Sequence, residues 1–381
     1  MDPEKRGKGI GLEDIFIWLV VLLGVILLVN ITITFSLNND IKKNEESVKE
    51  KSKPAKIELA VVRNSKCNDC SDISAAVSYV KDANLNVTGE AVFEFDSKEG
   101  MAVISKYKID KVPALVITGE IEKVNIEGFE KREDALLLAG ILPPYTNALT
   151  GAIEGRVILQ RLTDLSCGKC SDLALLISQI KAAGVKVVEE KAIEPGSDEG
   201  KELIKKYSIE FAPTIILSKD AAVYDIVQQA WPQIGSKESD GSYVLRVVNP
   251  PFINLTTGKL MGIVDITYIT DKSCAECYNV SLHKEIITNP QSFAVNLDNE
   301  EKFDVSDAKG KELIAKYNIT QVPTVILTDE IGVYPSSQAL KQFFSVEKDG
   351  SYIFRKLQSL GTYRDLATSQ IVKAPESSQE Q

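Results

Sequence analysis

Histidine is nearly missing from this 381-residue chain: it occurs once, at His283. That leaves almost no room for His-based catalysis or for zinc sites of mixed Cys and His ligands. An excess of basic charge is missing as well. Against 44 Lys and Arg stand 54 Asp and Glu, a net charge of −10, and no basic stripe runs along the sequence, so a nucleic-acid backbone is excluded as partner. No cysteine is left over. All six fall in local pairs, Cys67/Cys70, Cys167/Cys170 and Cys274/Cys277, which is unlike the scattered cysteines of a short secreted scaffold and points to redox chemistry or metal binding.

What is present begins with an uncharged run. Ile15 to Phe35 reads IFIWLVVLLGVILLVNITITF, 21 residues, about the ~20 that cross a bilayer as a helix. Trp18 stands near one end, as interfacial aromatics do. A cleaved signal peptide fits less well, because the run exceeds the usual ~7 to 15 apolar residues and no small-x-small site follows. Lysines and arginines flank both ends, so charge does not orient the span. With a short N-terminal flank, residues 1–14 are expected to stay cytoplasmic, 15–35 to anchor the chain, and everything beyond to lie outside the cytoplasm. Residues 36–56, polar with mixed Lys and Glu, are expected to form a solvated stalk.

The remainder is a threefold repeat. GMAVISKYKIDKVPALVIT (100–118), GKELIKKYSIEFAPTIILS (200–218) and GKELIAKYNITQVPTVILT (310–328) align throughout. Each follows a cysteine pair at nearly constant distance: Cys67 to Pro113 is 46 residues, Cys167 to Pro213 is 46, and Cys274 to Pro323 is 49. PPYTNALTG and PPFINLTTG, then DGSYVLR and DGSYIFR, extend the likeness. The expected domains are 57–150, 151–258 and 259–373, with a polar tail at 374–381.

Within each unit the patterns predict a strand (IELAVV, RVILQRL, IVDITYI) and a helix with the cysteines at its start. A strand at AVFEF, VKVV or FAVNL comes next, then a helix ending in Lys-Tyr, the proline and another strand. Ile73, Ala76, Val77 and Val80, like Leu173, Leu176, Ile177 and Ile180, keep one helical stripe. Tyr107, Tyr207 and Tyr317, which end the second helices, and Trp231 are expected to pack rather than react. His283, placed on the cysteine helix about 13 Å from Cys274, is not expected to be catalytic. The sequons at Asn86, Asn254, Asn279 and Asn318 agree with an exported protein.

With CNDC, CGKC and CAEC in this context, the units resemble the thioredoxin-like superfamily. The tandem arrangement is similar to protein disulfide isomerases and the two-domain microbial disulfide oxidoreductases. The resemblance covers 57 to about 370 and implies an α/β architecture: three tandem thioredoxin-like folds, each a central mixed β-sheet flanked by helices, after one N-terminal transmembrane helix. It further implies cis peptide bonds at Pro113, Pro213 and Pro323, facing the cysteines on the substrate loop. Three features depart from the family. Lys66, Ser166 and Ser273 replace the Trp before the first cysteine, no proline lies inside the motifs, and the buried acid has no clear counterpart.

Cysteines three apart on a helix lie within disulfide reach. A helix N-terminus would lower the first thiol's pKa, making Cys67, Cys167 and Cys274 the nucleophiles and Cys70, Cys170 and Cys277 the resolving thiols. Zinc knuckles and inert structural disulfides remain alternatives. The expected function is a single-pass, membrane-anchored thiol–disulfide oxidoreductase of the cell membrane. It would act on protein thiols and disulfides without cofactor or metal, its cysteines recycled by a membrane redox partner. The alternative is a tethered protein-binding scaffold. Lys169 between its cysteines, against Asp69 and Glu276 in the other motifs, leads to the expectation that Cys167 has the lowest pKa and Cys274 the highest.

Overall fold

The computed structural model describes residues 12–51 and 53–373. Residues 1–11 of the expected cytoplasmic segment, Ser52 of the stalk, and the tail 374–381 lie outside the described residues. The chain divides after Ala152 into two compact units. The first holds the apolar helix and one α/β domain, and the second holds two such domains.

Helix α1 (Leu12–Lys51) is continuous through the apolar run and well into the stretch expected as a stalk. From Leu19 to Asn38 it is long and apolar enough to cross a membrane, with mean hydropathy 2.6 and none of it buried. Its polar residues satisfy themselves on the helix: Asn30 Nδ2 donates to Ile26 O at 2.9 Å and Thr34 Oγ1 to Asn30 O at 2.7 Å. Such back-bonding removes most of the cost of placing these groups in an apolar medium.

Domain 1 runs β1 (Ala55–Arg63), α2 (Ser74–Asp82), β2 (Leu85–Glu94), α3 (Lys98–Tyr107), β3 (Lys111–Val112), β4 (Ala114–Gly119), β5 (Phe129–Arg132), β6 (Ala135–Leu138) and β7 (Tyr145–Asn147). The sheet order is β2-β1-β4-β6-β5, with β1 parallel to β2 and antiparallel to β4. Strand β4 is buried on four successive residues, 114–117, because both its faces are covered. Ile57, Leu59, Leu115 and Ile117 pack under α2 with Val80, while Val62, Ala114 and Val116 pack with Ile104 and Tyr107 of α3.

The second unit opens with β8 (Ile153–Glu154) and repeats this plan. Domain 2 comprises β9 (Val157–Leu162), α4 (Ala174–Ala182), β10 (Val187–Ile193), α5 (Asp198–Tyr207), β11 (Phe211–Ala212) and β12 (Thr214–Leu217). It continues with α6 (Asp225–Ile234), β13 (Gly235–Lys237), β14 (Tyr243–Leu245), β15 (Phe252–Asn254) and β16 (Leu260–Met261). Its sheet is β10-β9-β12-β14-β13. Because β16 pairs with β15, this domain reaches beyond residue 258.

Domain 3 comprises β17 (Val264–Thr270), α7 (Leu282–Thr288), β18 (Leu297–Asp304), α8 (Ala308–Lys316), β19 (Gln321–Val322) and β20 (Thr324–Leu327). Then come α9 (Ser337–Leu340), β21 (Phe344–Val346), β22 (Tyr352–Phe354), β23 (Tyr363–Asp365) and β24 (Ile371–Val372). Its sheet order is β18-β17-β20-β22-β21.

The recurring residues of the repeat have physical reasons. A Cβ on Gly100, Gly200 or Gly310 would lie 2.0, 2.1 or 2.1 Å from the carbonyl oxygen of Glu94, Glu194 or Asp304, so only glycine lets the second helix start against the strand before it. Tyr107, Tyr207 and Tyr317 are buried at the ends of those helices, as expected, with a lysine ammonium 4.6–4.8 Å from each ring centre. The DGSY segments complete this corner. Tyr207 Oη donates to Asp240 and Tyr317 Oη to Asp349, whose carboxyls are held well below the usual range, chiefly by hydrogen bonds from Lys206 and Lys316. Trp231 is core, donating to Val244 O.

Two expected elements fall elsewhere. Of FAVNL only Leu297 is strand: Phe293 and Val295 fill the core from the segment before it, and the strand is the polar stretch from Leu297 to Asp304. An edge strand solvated on one face needs no apolar run. VKVV is strand only from Val187.

Candidate active site

The cysteine pairs do not open their helices. The helices begin at Ser74, Ala174 and Leu282, several residues past each motif, and the motifs lie in turns instead. His283 therefore shares no helix with Cys274. The expected dipole effect on the first thiol also lapses, since it falls off beyond the terminal turn.

A shared turn positions each pair. The N–H of Cys67, Cys167 and Cys274 donates to the carbonyl three residues back, of Asn64, Asp164 and Asp271, at 3.0–3.1 Å. The side chains of those residues accept from the N–H of Lys66, Ser166 and Ser273 at 3.0, 2.8 and 2.8 Å. Sequence reasoning passed over Asn64, Asp164 and Asp271, although an Asn or Asp three residues before every pair is a visible signal for such a turn. In domains 2 and 3 a second turn follows, Cys170 N–H to Cys167 O at 3.3 Å and Cys277 N–H to Cys274 O at 3.4 Å.

Each pair is a disulfide, with Cα–Cα separations of 5.4, 5.5 and 5.5 Å. Cys67 and Cys274 are 9% and 7% exposed, whereas Cys167 is half-buried. The bonds preceding Pro113, Pro213 and Pro323 are cis. Pro113 and both cysteines line one cavity of about 540 Å³ in domain 1, and Pro323 lines another of about 410 Å³ with Cys274 and Cys277.

A second loop closes each site from behind. The residue after the second cysteine donates its N–H to this loop: Ser71 to Pro144 O and Ser171 to Pro251 O at 2.8 Å, and Tyr278 to Thr362 O at 2.9 Å. Two residues beyond each accepting proline, and likewise beyond Thr362, the register sets Thr146, Ile253 and Arg364 opposite the residue before the cis proline. Thr146 accepts from Asn64 Nδ2 at 2.9 Å and lies 3.8 Å from Cys70 Sγ. Arg364 bonds Ser273 Oγ at 2.7 Å and pairs with Asp271. Burial works against ionisation of Asp271, but hydrogen bonds from Ser273 and Arg364 outweigh it and hold the carboxyl below the usual range. Domain 2 offers only the apolar Ile253.

Charge at the motif itself also differs. Asp69 Oδ1 lies 3.6 Å from Cys67 Sγ, Glu276 pairs with Lys373 at 3.5 Å, and Lys169 is engaged by Asp298 at 2.7 Å. The ammonium expected to lower the Cys167 pKa is thus itself held in an ion pair.

No protein-family model matches this chain, and no curated protein matches it. Among solved structures it is similar to the NTD_N/C domain of alkylhydroperoxide reductase AhpF from Enterococcus faecalis, at 17% identity over 45% of this chain and 81% of that one, TM-score 0.14. It is also similar to human ERp44 in its zinc-bound form, at 12% identity over 76% and 85%, TM-score 0.14. Full-length ERdj5 matches at 10% identity over 71% of this chain and 41% of that one, TM-score 0.15. A five-stranded mixed sheet between helices, a Cys-x-x-Cys disulfide after the first strand, and a cis proline before the fourth make each domain a thioredoxin-like fold. The chain is a tandem of three.

Proposed function

We propose that the chain is a membrane-anchored thiol–disulfide oxidoreductase acting on protein thiols outside the cytoplasm. The observation that carries this is the placement of Cys67–Cys70 and Cys274–Cys277 in open cavities beside Pro113 and Pro323. A substrate sulfur has its access there through the half-buried Cys70 and Cys277, since Cys67 and Cys274 are nearly buried. A substrate thiolate attacks one cysteine sulfur, forming a mixed disulfide and releasing the other cysteine as thiolate. A second substrate thiolate then attacks the mixed bond, so two electrons pass from substrate dithiol to the domain and the substrate leaves as a disulfide. Run backward, the same steps reduce a substrate. Turnover needs a membrane dithiol or disulfide partner to restore the starting state. The exposed apolar face of α1 supports anchoring, because Leu, Ile and Val held in water along such a length are unfavourable.

The test is equilibration of the whole protein with graded thiol–disulfide buffers, followed by alkylation and peptide mapping of each pair. Measurable potentials near those of known exchange proteins are expected. A protein whose three pairs all resist reduction while folded is a scaffold. The near burial of Cys67 and Cys274 favours that second reading for domains 1 and 3. Anchoring and orientation are tested by protease treatment of intact cells, which is expected to remove the three domains.

A further inference from the structure

Of the three motifs only the second carries a lysine between its cysteines, and that lysine is held by another domain. Lys169 Nζ is 2.8 Å from Asp298 Oδ1 and 2.7 Å from Asp298 Oδ2, across 129 residues. Asp298 belongs to β18, the edge strand of domain 3. It sits where the β17–β18 register shifts, between the pairs Val264/Leu297 and Ile266/Glu300. A bulge of this kind re-aims a side chain away from the ladder. The shift recurs in the other domains, but there the same position holds Thr88 and Val188, which have no charge to offer. The one domain with a lysine between its cysteines is therefore faced by the one bulge that carries a carboxylate.

We infer that Asp298 is a positioning residue for the Cys167–Cys170 site: it draws the Lys169 ammonium away from Cys167, so that domain 3 sets the thiol acidity of domain 2. The inference rests on the proposed exchange function. The pair is partly exposed, Lys169 at 56% and Asp298 at 33%, so its effect on stability is small. Its effect on a thiolate is not cancelled by exposure, because Lys169 is within the four-residue motif. The other charged groups bonded to this loop are Asp164, which accepts from Ser166, and Glu194, which accepts from the Leu165 N–H. Both are left untouched by the variants below.

The experiment uses the full chain, reduced, with iodoacetamide labelling of Cys167 followed across pH by peptide mapping. Asp298→Asn is expected to lower the midpoint of labelling by about half a pKa unit, roughly threefold more thiolate at a fixed pH below it, the size of one charge at about 6 Å in exposed surroundings. Lys169→Met is expected to raise it. Adding Asp298→Asn to Lys169→Met is expected to leave the midpoint unmoved, and Asp298→Glu to keep the wild-type value. A midpoint that ignores Asp298→Asn while responding to Lys169→Met overturns the inference alone. A Cys167 that labels at no pH in any variant after reductant treatment overturns the exchange function at this site, and the inference with it.

Discussion

Arg364 and Asp271 form an ion pair behind the third cysteine pair, joining the loop that closes the site to the turn that presents Cys274. The carboxylate side chain is 3% exposed and the arginine 28%. Removing the arginine strands a buried charge. Arg364→Ala is expected to destabilise domain 3 by about 2 to 3 kcal/mol, at the low end for a buried pair because the arginine retains some solvent. Hydrogen exchange in 264–273 and 363–372 should rise while domain 2 is unchanged. Since the folded carboxyl titrates below its unfolded value, the stability it contributes is complete above about pH 4 and lost as pH falls through the lower folded value. Exchange unaltered by the substitution would show the pair to be dispensable.

His283 is 6% exposed, packed 4.5 Å from Phe354, and burial pushes its pKa down to about 4. The unfolded chain binds a proton near pH 6.5 that the folded domain refuses, so stability falls as pH drops from about 6.5 toward 4, by at most about 1.4 kcal/mol per pH unit. His283→Phe, which an adjoining apolar cavity of about 230 Å³ can accommodate, should flatten urea midpoints over that range. An equally steep profile in the variant would locate the pH dependence elsewhere.

Gly200 and Gly168 test the packing argument as a pair. A methyl on Gly200 meets Glu194 O at 2.1 Å, whereas nothing lies within 4 Å of one on Gly168. Gly200→Ala is expected to cost about 2 kcal/mol or more, and Gly168→Ala less than about 0.5 kcal/mol. Chemical denaturation of the second unit measures both, and equal losses would refute the contact.

Accessibility should rank the sites after reduction. Cys167 is half-buried, and Cys67 and Cys274 nearly fully so. At neutral pH iodoacetamide is expected to modify Cys167 first, independent of any charge effect. Faster labelling of Cys67 or Cys274 would mean that their cavities open wider than the oxidised fold shows.

The cysteine pairs, the Lys-Tyr helix ends and the apolar span were legible in the sequence by local pattern, and the glycines that open the second helices by their recurrence. The start of the first helix was not. The apolar stripe begins at Ile73 and Leu173, but the turn capped by Asn64, Asp164 and Asp271 and the bond from Ser71 or Ser171 to the closing loop hold the intervening residues out of the helix. The second strand of domain 3 was misplaced because an edge strand carries little apolar signal.

By itself the sequence determined a threefold α/β repeat with a cysteine pair and a proline at constant spacing behind one apolar helix, since spacing and periodicity are properties of the chain. Only the tertiary structure decided what surrounds each disulfide: Thr146 in one domain, Ile253 in the next, Arg364 in the third, and the Asp298 carboxylate on Lys169. Those partners lie far from the cysteines along the chain, and contacts closed by sheet register and domain packing leave no local trace in residue order.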